Sequence, residues 1–261
     1  MKTIAIANQK GGTGKTTTAY NLGIALTQQG YRVLMVDFDP QGNLSCYCGI
    51  PPEQDLEQTI TELLMKVAYE KPLSHRECVY QSKRTDDSAP QVDFIPSNLR
   101  LASFELAMGT MMCREVLLKT CLEQYSSQYD YCIIDNPPDI GLNVANALAI
   151  TDEVIVPVKV DEDALEGLDI VTEQIEDAKA FNQTLKLAGV LITSYQNTDG
   201  EAAGVEWLEQ KTDFNILGII RYSKKVAENT FMRKPIYEYS PCCGAAQGYK
   251  KFVTAYTGKE R

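Results

Sequence analysis

Short runs of β-branched and other apolar residues alternate along the chain with longer stretches of helical periodicity. The runs fall at residues 3–7, 32–36, 92–95, 131–134, 153–158, 187–192 and 216–219, each with the length and Ile/Val content of a strand. Between them, apolar positions spaced by three and four predict helices over 15–29, 57–69, 99–108, 113–126, 141–149, 163–181, 201–212 and 244–256. Cys132-Ile133-Ile134 and Val154-Ile155-Val156 lack polar alternation, as central strands covered on both faces require. The repetition predicts an α/β fold with a mostly parallel sheet of about seven to eight strands. Residues 71–90 form the most polar stretch and read as a surface loop with no second core beyond it, so one domain over residues 1–261 is expected.

Composition narrows the class. At 44% hydrophobic, 261 residues can bury a sizeable core, which excludes disorder as the main state. No run approaches the ~20 apolar residues of a membrane span, and the first strand has no basic flank or cleavage site before it, so a cytoplasmic protein is expected. The net charge of −10 argues against nucleic acid unless basic residues cluster. They do: residues 218–261 carry nine Lys/Arg and three acids, a charge of +6, which leaves −16 on the other 217 residues. Eight cysteines without a signal peptide read as reduced thiols, with Cys113, Cys121 and Cys132 expected to be buried. Cys46-Tyr47-Cys48 and Cys242-Cys243 match no common zinc spacing, and the only histidine, His75, lies in a polar loop.

The first strand leads into Asn8-Gln9-Lys10-Gly11-Gly12-Thr13-Gly14-Lys15-Thr16-Thr17 and then a helical run. Glycines let backbone N–H groups curl around an anion, and the following helix N-terminus adds its dipole, so strand, loop and helix make a phosphate cradle. Lys15 would reach the β- and γ-phosphates of a nucleotide, and the Thr16 hydroxyl would bind Mg²⁺. Gln9 stands where the standard loop has its first glycine, and Lys10 is added beside it. This Lys-Gly-Gly-x-Gly-Lys-Thr form resembles the deviant Walker A loop of the ParA/MinD family of P-loop ATPases, and the resemblance covers nearly the whole chain.

The resemblance implies ATP and Mg²⁺ as ligands, with Lys10, Gly11, Gly12, Thr13, Gly14, Lys15, Thr16 and Thr17 around the phosphates. It further implies a nucleotide-sandwich homodimer, in which Lys10 crosses the interface to the partner's ATP. Such a cation in trans would offset the charge of two apposed nucleotides.

Three carboxylates follow strand ends. Alternation puts Asp37 and Asp39 of Asp37-Phe38-Asp39-Pro40-Gln41 on one side of the extended chain, at the sheet edge where open α/β folds bind nucleotides. In the family this motif's second aspartate positions water, which implies that role for Asp39, and Asp37 is expected to support the metal shell. Asp135 ends the apolar run 131–134 and resembles the Walker B aspartate that holds Mg²⁺. Asn136 replaces the usual Cys after it, and Pro137-Pro138 is retained.

ParA proteins bind DNA non-specifically as ATP dimers, and a ParB-type partner triggers hydrolysis; the resemblance implies a slow ATPase that associates with the nucleoid in its ATP state. Arg221, Lys224 and Lys225 match the family's basic segment, and Lys250 and Lys251 extend the basic tail. The segment 193–199 lacks an arginine that several DNA-binding relatives have there. Glu228-Asn-Thr-Phe-Met-Arg233-Lys234-Pro235 also departs from the usual Glu-Ala-Pro-Ser-x-Gly-Lys-Pro. With no segment ahead of the first strand, a helix-turn-helix for operator binding is not expected.

The alternative is a MinD-like membrane-cycling ATPase, since Tyr249, Phe252, Val253 and Tyr256 make an apolar stripe beside Lys250 and Lys251. The stripe is short and reads as packing against the sheet, so stable membrane association is not expected. Iron-protein chemistry fails because Asn136 follows Asp135 and Cys132 precedes it on a buried strand. The 14 tyrosines are scattered, without the C-terminal cluster of a bacterial tyrosine kinase.

Overall fold

A computed structural model describes residues 1–51, 54, 56–74, 76–83, 91–109, 111–161, 164–211 and 214–258, with the backbone alone at 164–166 and 211. In chain order the elements are β1 (Lys2–Ile6), α1 (Lys15–Gln28), β2 (Val33–Asp37), α2 (Asn43–Tyr47), α3 (Ile60–Ala68), β3 (Tyr80–Gln81), β4 (Asp93–Ile95), α4 (Arg100–Ala107), a 3₁₀ turn (Arg114–Val116), α5 (Leu117–Glu123) and β5 (Tyr131–Asp135). There follow α6 (Leu142–Ile150), β6 (Glu153–Val158), α7 (Ala164–Ala178), β7 (Lys186–Tyr195), α8 (Asp199–Lys211), β8 (Ile216–Arg221), α9 (Lys225–Phe231), α10 (Ile236–Tyr239) and α11 (Gly244–Thr257).

The eight strands form one sheet in the order β3-β4-β2-β5-β1-β6-β7-β8, parallel except for the β3–β4 pair. Strand alternation divides the core. Ile4, Ile6, Val33, Met35 and Ile133 face a cluster that includes residues of α1, α10 and α11. Leu34, Val36, Cys132 and Ile134 face residues of α3, α4 and α5, while Ala5, Val154, Val156 and Ile192 face residues of α6, α7 and α8. The α1 helix lies close on the sheet because Gly23 has no side chain: a Cβ there would come within 2.9 Å of Met35 Cγ.

Residues 71–90 are not wholly a loop. Tyr80–Gln81 pairs antiparallel with β4, Tyr80 packs on Phe94 with ring centroids 6.2 Å apart, and Cys78 and Ser82 are buried. A two-residue strand is too short to leave a sequence period. His75 and residues 84–90 lie outside the described residues. The helices α2, α9 and α10, of five, seven and four residues, are likewise below the length at which periodicity reads. The helix expected over 113–126 starts late, because Cys113 takes a left-handed conformation (φ 59°) ahead of the 3₁₀ turn. Cys113 is therefore exposed rather than buried, while Cys121 and Cys132 are buried, and none of the eight cysteines is in a disulfide.

The α11 stripe is spent on packing. Tyr249, Phe252 and Val253 are buried, and the Tyr256 hydroxyl donates to Glu153 at 2.5 Å. Among the described residues no helix is long and apolar enough to cross a membrane.

Candidate nucleotide site

The loop between β1 and α1 is set by groups distant in sequence. Asn8 is buried; its Nδ2 donates to the Pro157 carbonyl at 2.7 Å, and its Oδ1 accepts the Lys10 N–H at 2.9 Å. Thr193, at the C-terminal end of β7, donates to the Thr13 carbonyl at 2.7 Å. Gly12 (φ 73°) and Gly14 (φ 88°) take left-handed conformations that a side chain would strain. The first turn of α1 holds no acid and no side-chain cap, so its N–H groups face the loop.

Lys15 is buried, and its Nζ donates to the Lys10 carbonyl at 3.0 Å. Burial pulls its pKa down, while Asp135, Asp39 and Asp139 act to raise it. The Lys10 ammonium leaves the loop and bonds both Asp161 carboxylate oxygens, at 2.7 and 2.8 Å.

Strand register places Asp37 of β2 directly beside Asp135 of β5. Both are fully buried, and burial first, then each carboxylate's repulsion of its neighbours, drives their pKa values up. Their surroundings differ. Asp37 Oδ2 accepts the Ser45 N–H and hydroxyl at 2.7 and 2.6 Å, which ties β2 to α2. Thr16 lies near Asp135, yet neither Asp135 oxygen has a partner at hydrogen-bonding distance. An orphaned buried carboxylate is costly alone and fits a position that a bound cation completes.

Among the described residues no group of three or more His, Cys, Asp or Glu side chains is arranged to hold a metal by itself. This suits Mg²⁺, which keeps waters and draws most of its other oxygens from a substrate phosphate. Asp39 Oδ1 accepts the Gln41 N–H at 2.8 Å, and the residue lines the cavity that Asp37 does not reach.

Two adjoining cavities run from this point. One, of about 400 Å³, is lined by Gly11, Lys15, Thr16, Asp39, Asn43 and Pro138, among others. The second, of about 450 Å³, lies toward the end of β8 and is walled by Thr193, Ser194, Tyr222, Val226, Thr230 and Phe231, among others. Gly12, Gly14, Thr17 and Tyr47 border both. Each falls within the ~300–1,000 Å³ typical of small-molecule sites.

The structure divides the five basic candidates. Arg221 and Lys224 line the second cavity, and Lys225, next in sequence, pairs with Glu228 at 2.7 Å. Lys250 instead borders a separate cavity against Ala25, Gln28 and Gln29, and Lys251 is exposed on α11. Asn8, Ser45, Tyr47, Asp161 and Thr193 escaped the sequence reading because nothing local marks them; Asp161 meets Lys10 across 151 positions. Asn136 is buried and donates to the Ile6 carbonyl at 3.2 Å, joining the ends of β1 and β5.

A glycine loop capped by a helix N-terminus, with carboxylates at neighbouring strand ends, defines a nucleotide-binding protein of the P-loop class. A family model described as "AAA domain" matches residues 1–187. The sporulation initiation inhibitor protein Soj of Bacillus subtilis is 36% identical over 95% of both chains. The chromosome partitioning protein ParA of Caulobacter vibrioides is 34% identical, covering 100% of this chain and 96% of its own. The structure of cobyrinic acid a,c-diamide synthase from Mycobacterium smegmatis with a bound ATP analogue and magnesium superposes with a TM-score of 0.79 at 28% identity, covering 99% of this chain and 97% of that one. The chain belongs to the ParA/Soj family of P-loop ATPases.

Proposed function

We propose that the chain is a partition ATPase that binds ATP and Mg²⁺, dimerises around them, holds DNA non-specifically in that state and releases it after hydrolysis stimulated by a ParB-type partner. The observation that carries this is the unpartnered, fully buried Asp135 carboxylate beside the Lys15 and Thr16 end of the loop. The relatives named for chromosome partitioning support the cargo.

The phosphates of ATP fit the cavity at Gly11–Thr17, and the base fits the cavity between Thr193 and Phe231. Thr16 and Asp135, with Asp37 behind them, would hold Mg²⁺, which would supply charge neutralisation on the phosphates. Lys15 donates to phosphate oxygens in place of the Lys10 carbonyl. Asp39, anchored by the Gln41 N–H through one oxygen, keeps the other to accept a proton from water and orient it. Lys10 exchanges Asp161 for the phosphates of the second protomer, so dimerisation and nucleotide charge are linked.

The test is retention of DNA by the purified protein with ADP, ATP or a slowly hydrolysed analogue across a salt series. DNA should be held only in the ATP states and be lost steeply with salt, as for a basic patch on an acidic body. Lys225→Glu, outside the cavity assigned to the base, should lower DNA affinity several-fold (~3-fold or more) with dimerisation intact; unchanged affinity would place the DNA surface elsewhere.

A further inference from the structure

We propose that the chain captures an unpaired nucleobase of single-stranded nucleic acid in a shallow cavity at the C-terminal ends of β7 and β8. This rests on the reading that the ATP state holds DNA. The cavity, of about 300 Å³, is lined by Tyr195, Gln196, Asn197, Arg221 and Tyr222. Arg221 and Tyr222 also wall the cavity assigned to the ATP base, so the two lie side by side. Two phenol rings, two amides and a guanidinium are the set that recognises an unstacked base: faces for its ring and donors and acceptors for its edge.

The set is held in place before any ligand arrives. A Cβ at Gly244 would lie 3.1 Å from Arg221 Cβ and 3.2 Å from its Cδ, so the start of α11 pins the arginine stem. The guanidinium has no ion-pair partner among the described residues. The Tyr222 N–H donates to the Tyr195 carbonyl at 2.9 Å, and the Tyr195 hydroxyl donates to Asn197 Oδ1 at 3.0 Å, which leaves the Asn197 amide hydrogens for a ligand. Ser194 (φ 54°) and Asn197 (φ 62°) both sit in the left-handed region, and such strain is kept where a binding geometry needs it.

The surroundings suit a strand rather than a duplex or a membrane. Tyr222 is 52% exposed and Phe231 89% exposed, and Lys224, Arg233 and Lys234 are neighbours in sequence. Of the acids nearby, Glu201 accepts the Gln196 and Thr198 N–H groups and Glu228 pairs with Lys225, while Asp199 stands exposed at the start of α8. A duplex keeps its bases stacked and gives exposed rings nothing to meet. An acyl chain has no use for two amides and a guanidinium.

The experiment measures anisotropy of a labelled single strand and of its duplex on the full chain with Mg²⁺ and the slowly hydrolysed ATP analogue. Tyr195→Leu and Asn197→Gly should each lower single-strand affinity by about ten-fold, with duplex affinity and ATP hydrolysis unchanged. Glycine accepts the φ of Asn197, so the second variant guards against misfolding. Equal losses on both DNA forms, or unchanged single-strand affinity in both variants, would overturn the site. Wild type that holds neither form would refute the underlying DNA reading. Wild type that holds duplex while both variants behave normally on single strands would refute the base site alone. Sedimentation with phosphatidylglycerol vesicles that Tyr195→Leu abolishes would make the cavity a lipid site and overturn the assignment to a base.

Discussion

The two ends of the parallel sheet carry similar side chains and treat them in opposite ways. At the N-terminal edge charges are matched in pairs: Lys2 and Tyr256 both engage Glu153, Arg32 bonds Asp130 at 2.8 Å, and Arg76 and Tyr129 share Asp93 at 2.7 Å each. At the C-terminal edge Asp37 and Lys10 find partners in Ser45 and Asp161, but the Asp135 oxygens have no hydrogen-bond partner, and Lys15 donates to a backbone carbonyl. The pKa directions record the contrast: the Arg32 guanidinium pulls Asp130 down to about 2, whereas burial drives Asp135 far up. An edge that only closes the fold completes its own polar pairs. An edge that waits for a ligand leaves them open, and the ligand then stabilises the fold as it binds.

The comparison breaks most visibly at Lys15. Lys15→Ala should weaken ATP binding by about 100-fold or more, read by titration calorimetry; retained affinity would mean that the open end is not a phosphate site. Asp39→Ala should keep ATP bound and cut turnover by about 100-fold, in a phosphate-release assay that also reports a trapped dimer by size exclusion.

Asp135→Asn sharpens the contrast by closing the open end artificially. Because its folded pKa is raised, the Asp135 contribution to stability is full below the ordinary carboxylate pKa of 3.8 and is lost as pH rises towards the folded value. The nucleotide-free protein should therefore melt at lower temperature as pH rises from about 5 to 8. The Asn variant should flatten that slope in part, since Asp37 remains, and gain roughly 1–3 kcal/mol at neutral pH. An unchanged slope by calorimetry would show that Asp135 is not charged at a cost.

The smallest effect belongs to the matched end. At Glu153 burial acts to raise the pKa, but Tyr256 and Lys2 outweigh it and hold it low. Glu153→Gln should cost about 1 kcal/mol or less, because the Lys2 side chain is 38% exposed. ATP affinity should not change, and a loss there would mean that the two ends are coupled.

How much of this was legible in the sequence follows from distance along the chain. The loop, Asp39 and Asp135 were readable as candidates because each motif joins a strand end to its own candidate residue within a few positions. Asn8, Asp161 and Thr193 were not, since their partners come from other strand ends, and Thr193 meets Thr13 across 180 positions. The seven longer strands were visible as apolar runs, while β3 carries only Tyr80 and Gln81 and borrows its order from β4. The basic tail was visible as charge. Its division between the β8 end and the side of α11 was set by how α11 folds back along the sheet.

Gly23 gives the molecule a gauge. By letting α1 rest close on Met35 and Ile133, it fixes how high the helix rides above the sheet, and hence where the dipole at Lys15 points relative to Asp135 on the strand beneath. A methyl group there, two turns from any phosphate, would act like a shim under a lens mount: every residue of the site would remain, and the focus would move.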